Sequence, residues 1–447
     1  MSSGPVTYLP LDTDDQCQRC KEKRAVLLSR KEKFCPDCFV FFMRGKQRKL
    51  MLDERYKVKY GQVADRLGVQ KVLLPLSYGA SSLVLLDMVA SLLQEQNLAH
   101  KGKQGFELVV VHLKEPNLSG NASDNSETDS DFASGGKKFK ELALQYSPVN
   151  IEYHEVDIEG AVLTAAMKIT VNNQFGVIAL PSSSDEAEKR TIGDALRACA
   201  TRSLQEDLLS LMKNELIRGL SLKTGCKTII YGHSMTRLAN EVISLTVKGR
   251  GLTIHESVIN KSIEYNQQEL QVIFPLRDIL KAEVIAILLF NEALQKFLLP
   301  DAKPGSRLAK NMTVRDLTTQ YFDNLDATGY ASTASTVVKT AEKLAGPKEP
   351  QQGTCDVCGS SIHHQPQKWL SDITVSIAAP LTTEDEEEYA RQYGTSEGSA
   401  EGKELRVCYG CTVTLAGSGK QFEWPMRATA QEIIDEFVLT DDEDEGP

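Results

Sequence analysis

The sequence has no long apolar run and no excess of positive charge. Its longest uninterrupted apolar stretch, Val284 to Phe290, is seven residues long, whereas a membrane-spanning helix needs about 20. Residues 1–15 have neither a basic start nor an apolar stretch, so we expect no secretory signal. The 61 acidic side chains outnumber the 51 basic ones, which argues against a nucleic-acid binder that acts through overall charge alone but allows a local basic face. We expect a cytoplasmic protein with no membrane segment.

The length and composition indicate several globular domains. A chain of 447 residues, of which 41% are hydrophobic and 25% charged, corresponds to roughly three domains. We predict an N-terminal cysteine module with a basic helical segment (1–68), an α/β domain (69–346), a C-terminal cysteine module (347–430) and a short helix with an acidic tail (431–447). Polar and acidic composition predicts a disordered insertion near 117–136 and an acidic loop near 384–403.

Eight of the ten cysteines form four Cys-x-x-Cys pairs, which are Cys17/Cys20, Cys35/Cys38, Cys355/Cys358 and Cys408/Cys411. Two intervening residues let both sulfurs face one ion, and two such turns complete a tetrahedral site of four thiolates. The first two pairs are separated by 14 residues, close to the zinc-ribbon spacing of about 15–20. We predict a structural zinc site at the first two pairs, because four thiolates leave no coordination position for chemistry.

The last two pairs are 49 residues apart, and much of that interval is the acidic loop. Loop-closure entropy grows only slowly with length, so we predict a second structural zinc site there. Redox pairs, an iron–sulfur cluster, or replacement of one cysteine ligand by His363 or His364 are the alternatives. Cys199 and Cys226 are left over, and we expect each to be a small buried hydrophobic residue.

A basic stretch follows the first cysteine module and is interleaved with aromatic residues. Its cationic side chains are Arg44, Lys46, Arg48, Lys49, Arg55, Lys57 and Lys59. One interpretation is a solvated helix whose aromatic residues pack inward. The other is a surface that contacts RNA phosphates, because clustered cations displace the counterions of a nucleic acid.

From Val69 onward, short apolar runs alternate with helical patterns. The predicted strands are Val69–Leu76, Phe106–Leu113, Ile151–Val156, Lys227–Tyr231 and Val272–Pro275. The predicted helices are Ser82–Gln94, Lys137–Tyr146, Glu186–Leu220, a segment through Leu238 and Leu245, Ile279–Leu298, Val314–Leu325 and Ala331–Leu344. Alternating strands and helices indicate a mostly parallel, doubly wound sheet with helices on both faces. In such a sheet a ligand binds where a strand ends and a helix begins, which here is the small-residue loop Leu76–Leu83.

This order of elements resembles the PP-loop ATP pyrophosphatase fold, which is adenine nucleotide alpha hydrolase-like. The loop of that fold reads Ser-Gly-Gly-x-Asp-Ser, and Ser77, Gly79 and Ser82 match it as candidate nucleotide-binding residues. Gly232-His233 resembles the fold's Gly-His-Asn-x-x-Asp motif. Pro275-Leu276-Arg277, followed by Glu283, resembles its Pro-Leu-Arg…Lys-Glu segment. The Cys-x-x-Cys pairs on either side are similar to those of the tRNA 2-thiolation subgroup.

The sequence departs from this pattern at the positions that carry chemistry. Tyr78 replaces the first loop glycine, where we expect its ring to crowd a phosphate, and Ser81 replaces the aspartate. Arg237 stands where the later motif has its aspartate, and Cys199 is the sole cysteine in a region where the catalytic thiolases carry a pair. Thiolation requires Mg–ATP to adenylate a uridine oxygen and an activated sulfur to displace AMP. The resemblance therefore implies a scaffold that has lost its catalytic groups.

With these departures, the chain resembles the cytoplasmic tRNA 2-thiolation protein 2 family. The resemblance implies a non-catalytic subunit that binds tRNA and forms a heterodimer with a catalytic thiolase subunit, which would hold ATP and Mg. It further implies the wobble uridine of the lysine, glutamate and glutamine tRNAs as the target, with 5-methoxycarbonylmethyl-2-thiouridine as the product. Sulfur would arrive as a thiocarboxylate on a ubiquitin-like carrier.

Two other hypotheses remain open at this point. The chain could be an independently active PP-loop tRNA sulfurtransferase or adenylating enzyme, with Ser77, Gly79 and Ser82 holding ATP. It could also be a zinc-dependent protein-interaction module with no RNA role.

Overall fold

The structure is a computed structural model, and the residues that it describes are 5–10, 15–51, 53–62, 66, 68–115, 135–159, 166–171, 175–180, 191–199, 201–299, 312–344, 350–373, 383–385, 388, 403–416 and 422–425. The predicted tail at 431–447 and most of the insertion near 117–136 and of the loop near 384–403 lie outside them. The chain divides into two compact units. The first is Met1–Ile158, Met212–Val247 and Gly251–Gly346, and the second is Glu159–Leu211, Lys248–Arg250 and Pro347–Pro447.

The strands, in chain order, are β1 (Val6–Tyr8), β2 (Leu27–Ser29), β3 (Glu32–Phe34), β4 (Gln70–Pro75), β5 (Phe106–Lys114), β6 (Ile151–Asp157), β7 (Ala166–Val171), β8 (Val177–Leu180), β9 (Thr228–Ile230), β10 (Lys261–Tyr265), β11 (Gln268–Ile273), β12 (Gly353–Thr354), β13 (Ser361–Ile362), β14 (Lys403–Glu404) and β15 (Phe422–Pro425).

The helices are α1 (Pro36–Lys49), α2 (Ala80–Ala99), α3 (Gly135–Leu144), α4 (Ile192–Ala198), α5 (Arg202–Lys223), α6 (Met235–Val247), α7 (Ile254–Val258), α8 (Lys281–Leu289), α9 (Glu292–Gln295), α10 (Val314–Ala327), α11 (Ser332–Lys343), α12 (Pro366–Ile373) and α13 (Tyr409–Ala416). Short 3₁₀ turns lie at Glu54–Tyr56 and Gly251–Thr253.

The first unit is built on a six-stranded sheet with the order β10-β11-β9-β4-β5-β6. The strands from β11 to β6 pair in parallel, and β10 pairs antiparallel with β11 at the edge. The chain runs outward from β4 to β6 and then returns to β9 on the other side of β4. This reversal is the topological switch of a doubly wound sheet. Together with the two four-cysteine groups, it confirms the predicted α/β fold class.

The burial of β4 explains why its sequence is continuously apolar. Val72 and Leu74 are fully buried in a hydrophobic cluster with α2, whereas Leu73 is buried in a second cluster with Ile217 of α5. Successive side chains of a strand point to opposite faces, so both faces of this sheet are covered. The predicted strand at Val69–Leu76 is confirmed within a residue at each end.

Two predicted helices are each divided in the structure. The prediction of one helix over Glu186–Leu220 was wrong, because α4 ends at Ala198, the backbone of Cys199 is extended, and α5 begins at Arg202. Residues 186–190 and 200 of that range lie outside the described residues. The helix predicted over Ile279–Leu298 is α8 followed by α9, where the Asn291 side chain accepts a hydrogen bond from the backbone N–H of Leu294. A new N-cap in mid-sequence restarts a helix without disturbing its apolar periodicity.

The sequence analysis did not identify β10 or the sheet of the second unit. β10 joins β11 through Asn266 and Gln267, which both have positive φ, at 47° and 59°. This is the two-residue turn that suits the twist of a hairpin. The second unit contains an antiparallel sheet with the order β14-β8-β7-β15 and a small β12–β13 hairpin. No helix among the described residues is long and apolar enough to cross a membrane.

In the first unit, a buried ion pair ties the small β1-β2-β3 sheet to α8. Arg30 lies in the β2–β3 turn with φ of 51°, and its Nε and Nη2 atoms lie 2.6 and 2.7 Å from the two carboxylate oxygens of Glu283. The Glu283 side chain is fully buried, and it also accepts hydrogen bonds from the Ser29 hydroxyl and the Leu280 backbone N–H. Every acceptor of the buried carboxylate is therefore used by a fixed donor.

We expect Glu283→Gln to destabilise the first unit by about 3 kcal/mol, because it leaves the Arg30 cation without its partner. This value is at the lower end of the usual cost of breaking a buried ion pair, since the Arg30 side chain is 34% exposed. The measurement is the free energy of unfolding from urea titration. The matched control is Glu342→Gln, which removes the carboxylate partner of Arg277. Because Glu342 is more exposed than Glu283, this variant should lose no more than about 1 kcal/mol of unfolding free energy. Equal unfolding free energies for the two variants would contradict the prediction.

Candidate metal centres and nucleotide loop

The first cysteine cluster is formed by the turn before β2 and the start of α1. Cys17 and Cys20 lie on that turn, Cys35 is the N-cap of α1, and Cys38 is in its first turn. Pro36 occupies the first helical position, where its missing N–H has no hydrogen-bonding role. The four Sγ atoms lie within 4.8 Å of one another, and those of Cys20 and Cys35 are 3.9 Å apart. The structure therefore brings together all four predicted ligands.

The second cluster lies in the second unit and joins segments that are distant in sequence. Cys355 and Cys358 lie on the β12–β13 turn, and Cys408 and Cys411 lie at the start of α13. All four Sγ atoms are again within 4.8 Å of one another, with 3.7 Å between Cys358 and Cys408. Neither His363 nor His364 belongs to this ligand group, so the predicted set of four cysteines is the one assembled.

The sulfur separations in both clusters fit one tetrahedral ion. With metal–sulfur bonds of about 2.3 Å, the edge of a tetrahedron is about 3.8 Å, close to the separations of 3.9 and 3.7 Å. All eight thiols are free of disulfides. Each cluster thus supplies a complete ligand set with no position left for a substrate.

Arg250 provides a buried positive charge next to the second cluster. Its Nη1 atom lies 3.7 Å from Sγ of Cys411, and its Nη2 atom lies 3.6 Å from a carboxylate oxygen of Asp207 on α5. Lys248 pairs with the same aspartate at 2.8 Å. A Cβ at Gly410 would overlap Cγ of Arg250, so the glycine of the Cys-Tyr-Gly-Cys turn makes room for this arginine. Four thiolates around a divalent cation carry a net charge of about −2, which the guanidinium offsets.

We expect Arg250→Met to weaken metal binding at the second cluster alone, by about tenfold, because outer-shell partners typically contribute that much to affinity. The measurement is release of Zn²⁺ from the reconstituted protein during a chelator titration. One of the two bound Zn²⁺ equivalents should be released at a lower chelator concentration than in the wild type. The matched control is Arg406→Met, since that side chain is 68% exposed beside Asp356. An Arg250→Met release curve that matches the control would contradict the prediction.

The candidate nucleotide loop lies between β4 and α2, at the switch point of the sheet. The Ser77 and Ser82 hydroxyls are 3.2 Å apart, and the Ser82 hydroxyl donates to the Gly79 carbonyl at 3.0 Å. The Gly79 N–H lies 3.4 Å from the Ser77 oxygen. The structure therefore brings the three predicted residues together, but their polar groups mainly bond to one another.

Tyr78 holds the backbone conformation of a glycine. Its φ is 54°, a value that residues with a side chain rarely adopt. Its carbonyl oxygen accepts a hydrogen bond from the Leu299 N–H at 3.0 Å. The ring is 6% exposed and lies edge-on to His112, with 4.9 Å between ring centroids. Crowding of the loop by this ring was expected, and the structure instead buries the ring in the core. Burial also raises the pKa of the Tyr78 hydroxyl.

The Gly232-His233 motif contacts the loop as the fold requires. A Cβ at Gly232 would lie 3.0 Å from the Ser82 Cα atom, so glycine lets the end of β9 approach the start of α2. The His233 ring packs against the rings of Tyr231 and Phe274, with centroid distances of 5.2 and 5.5 Å. Burial lowers the pKa of His233 to about 3, so the imidazole is neutral at physiological pH.

Two arginines of the basic stretch are held by carboxylates of α2. Arg44 lies 3.4 Å from Asp87 and 3.7 Å from Glu95, and Arg48 lies 2.5 Å from Glu95. Burial raises the pKa of Asp87, and the Arg44 charge opposes that shift. These contacts place α1 against α2, a role that was not predicted from the sequence, because the carboxylates are 43 or more residues further along the chain.

The other five cations of the stretch lie in different surroundings. Lys46 is half-buried with its ammonium 5.3 Å from the Phe42 ring centroid, and burial lowers its pKa. Arg55 pairs with Asp53 at 2.7 Å. Lys49 and Lys57 are exposed, and Lys59 is half-buried. The stretch is thus not one continuous cationic face.

The two remaining cysteines are not activated thiols. Cys226 is 1% exposed, as predicted, and Cys199 is partly buried. Burial raises the pKa of each to about 11, so both are protonated at neutral pH. A thiol in that state is a poor nucleophile.

Comparison with known proteins decides the family. The sequence profile of the family Cytoplasmic tRNA 2-thiolation protein 2 matches residues 313–413. A Debaryomyces hansenii protein of that name is 47% identical over 99% of this chain and 100% of its own length. The chain belongs to this family. Family members from Scheffersomyces stipitis and Saccharomyces cerevisiae are 46% and 30% identical over 99% and 96% of the chain, and these alignments cover 99% and 100% of their own lengths.

Among solved structures, the chain is similar to the U34-tRNA thiolase NcsA from Methanococcus maripaludis with its [4Fe-4S] cluster. The identity is 18% and the TM-score is 0.47, over 83% of this chain and 100% of that one. An NH3-dependent NAD synthetase from Campylobacter jejuni is 10% identical, with a TM-score of 0.33, over 71% of this chain and 100% of that one.

Proposed function

We propose that this chain is a non-catalytic subunit of a cytoplasmic tRNA 2-thiolation complex. It binds tRNA and forms a heterodimer with a catalytic thiolase subunit, which holds ATP and Mg. Family membership over nearly the whole chain supports the pathway. The modified base is the wobble uridine of the lysine, glutamate and glutamine tRNAs, completed as 5-methoxycarbonylmethyl-2-thiouridine. The sulfur donor is a thiocarboxylated ubiquitin-like carrier.

The observation that carries the non-catalytic role is the state of the nucleotide loop. Residues 76–83 contain no carboxylate, and the Ser77 and Ser82 hydroxyls are within hydrogen-bonding distance of each other. A Mg–ATP site combines the phosphate oxygens of ATP with one or two protein carboxylates, and this loop supplies no carboxylate. Neither Cys199 nor Cys226 has the depressed pKa of a sulfur-transferring thiol. Both half-reactions are therefore assigned to the partner.

We assign structural zinc to both cysteine clusters. Four thiolates within 4.8 Å of one another suit a single tetrahedral ion. A [4Fe–4S] cluster binds each thiolate to a different iron and spreads the sulfurs further apart. In the first unit the ion would fix the start of α1, which precedes the basic stretch. In the second it would hold α13 on the β12–β13 turn. Neither ion would take part in thiolation.

The test is reconstituted thiolation with a candidate catalytic subunit, lysine tRNA, Mg–ATP and the thiocarboxylated carrier. The expected result is 2-thiouridine, measured by mass spectrometry, only when this chain is present. Equal product without the chain would refute the subunit role. In a parallel arm the chain alone is incubated with Mg–ATP, and we expect no AMP or pyrophosphate. Turnover that disappears in Ser82→Ala would instead establish an independent enzyme.

A further inference from the structure

A short segment after α1 is held against the end of the main sheet where its strands begin. The Tyr56 hydroxyl lies 3.2 Å from the Thr228 hydroxyl at the start of β9, and the Tyr56 ring packs edge-on against Phe106 at the start of β5. A Cβ at Gly105 would overlap the Tyr56 carbonyl, so only glycine allows this approach. The segment that follows Tyr56 therefore has a fixed neighbour, the turn that joins α2 to β5.

An exposed aromatic ring lies between that segment and that turn. Tyr60 is 53% exposed, and its hydroxyl is 2.6 Å from Nδ1 of His100. The Lys103 ammonium lies 5.2 Å from the centroid of the same ring. The side chain is thus oriented by two contacts while a large part of the ring remains open to solvent. A fixed and accessible ring of this kind is a platform on which a base can stack.

Further lysines lie on the same two segments as this ring and Lys103. Lys57, Lys101 and Lys103 are exposed and Lys59 is half-buried, whereas Asp53, a nearby acidic group, is paired with Arg55 at 2.7 Å. Lys101 and Gly102 both have positive φ, so the chain turns sharply between α2 and β5, in the segment that carries Lys101 and Lys103. We name the set Lys59, Tyr60, Lys101 and Lys103 the basic edge. It lies at the opposite end of β4 from the Ser77–Ser82 loop.

We propose that the basic edge binds RNA, with its lysines on backbone phosphates and the Tyr60 ring stacked on an unpaired base. Cations and an exposed ring together suit single-stranded or looped RNA, because phosphate contacts supply affinity and base stacking tolerates sequence. The inference rests on the proposed tRNA role and names the surface that carries it. It also assigns different roles within the basic stretch. Arg44 and Arg48 position α1 on α2, whereas the contacts to RNA continue onto a turn about 40 residues further along.

The test compares the full-length wild-type chain with the triple variant Lys59→Gln/Lys101→Gln/Lys103→Gln in binding unmodified lysine tRNA. We expect about tenfold weaker binding at moderate salt, and a slope of log affinity against log salt that is smaller by about 2, because each neutralised phosphate contact contributes about 0.7 to 0.9. The matched control is Lys140→Gln/Lys339→Gln/Lys343→Gln, which removes three exposed lysines from α3 and α11. For this control we expect a slope of log affinity against log salt close to that of the wild type. Any difference would reflect only the loss of overall positive charge.

Tyr60→Leu separates stacking from charge. We expect it to weaken tRNA binding at least about fivefold while leaving the affinity for heparin, a polyanion without bases, unchanged. Circular dichroism and the urea midpoint should match the wild type in every variant, because the substituted side chains are exposed or half-buried. If the triple variant fails to fold, Lys103→Gln alone should lower the salt slope by about 1.

The outcomes separate this proposal from the broader one. If the triple variant and Tyr60→Leu both bind tRNA as tightly as the wild type, the proposal for the basic edge is refuted. The proposed subunit role would be unaffected. The proposal would also be overturned if the triple variant of the basic edge and the control triple variant weakened tRNA binding equally. A wild-type chain that binds no tRNA, alone or with a catalytic partner, would refute both proposals.

Discussion

The buried ion pair between Arg30 and Glu283 determines how the first cysteine module joins the parallel sheet. A carboxylate that is fully removed from water is stable only with its charge and hydrogen bonds satisfied, and Arg30, Ser29 and the Leu280 amide together meet that need. The two side-chain donors come from the β2–β3 hairpin, and the acceptor caps α8 some 250 residues later. Because the same module continues into α1, the pair also constrains the helix that carries Arg44, Lys46, Arg48 and Lys49 of the basic stretch.

From α1 this constraint passes to α2 through carboxylates. Arg44 and Arg48 contact Asp87 and Glu95, and α2 in turn begins at the Gly79 end of the nucleotide loop. The loop therefore lies at the start of a helix that packing and charge hold along its length. At that N-terminus the loop hydroxyls bond to one another.

The features that were predictable from sequence are those with local signals. The cysteine spacing identified both four-ligand groups, and the continuous apolar run around Val72 identified the central strand. The antiparallel sheet of the second unit was missed because β14 has two residues and pairs with β8, more than 200 positions earlier. Arg250 was missed for a similar reason, since its partner Cys411 is 161 residues away. Such pairings depend on tertiary packing, which leaves no periodic trace in either segment.

Tyr78 shows how core packing can hold a loop residue in a strained backbone conformation. Its left-handed backbone costs a residue with a side chain about 1–2 kcal/mol, a strain that glycine would not have. The buried side chain offsets this cost, because its ring packs on His112 and its hydroxyl lies 3.4 Å from the Tyr153 hydroxyl. Glycine at this position would relieve the backbone and open a cavity beneath it in the same step. Backbone and side chain therefore have opposite preferences at residue 78, and the packing of the ring decides between them.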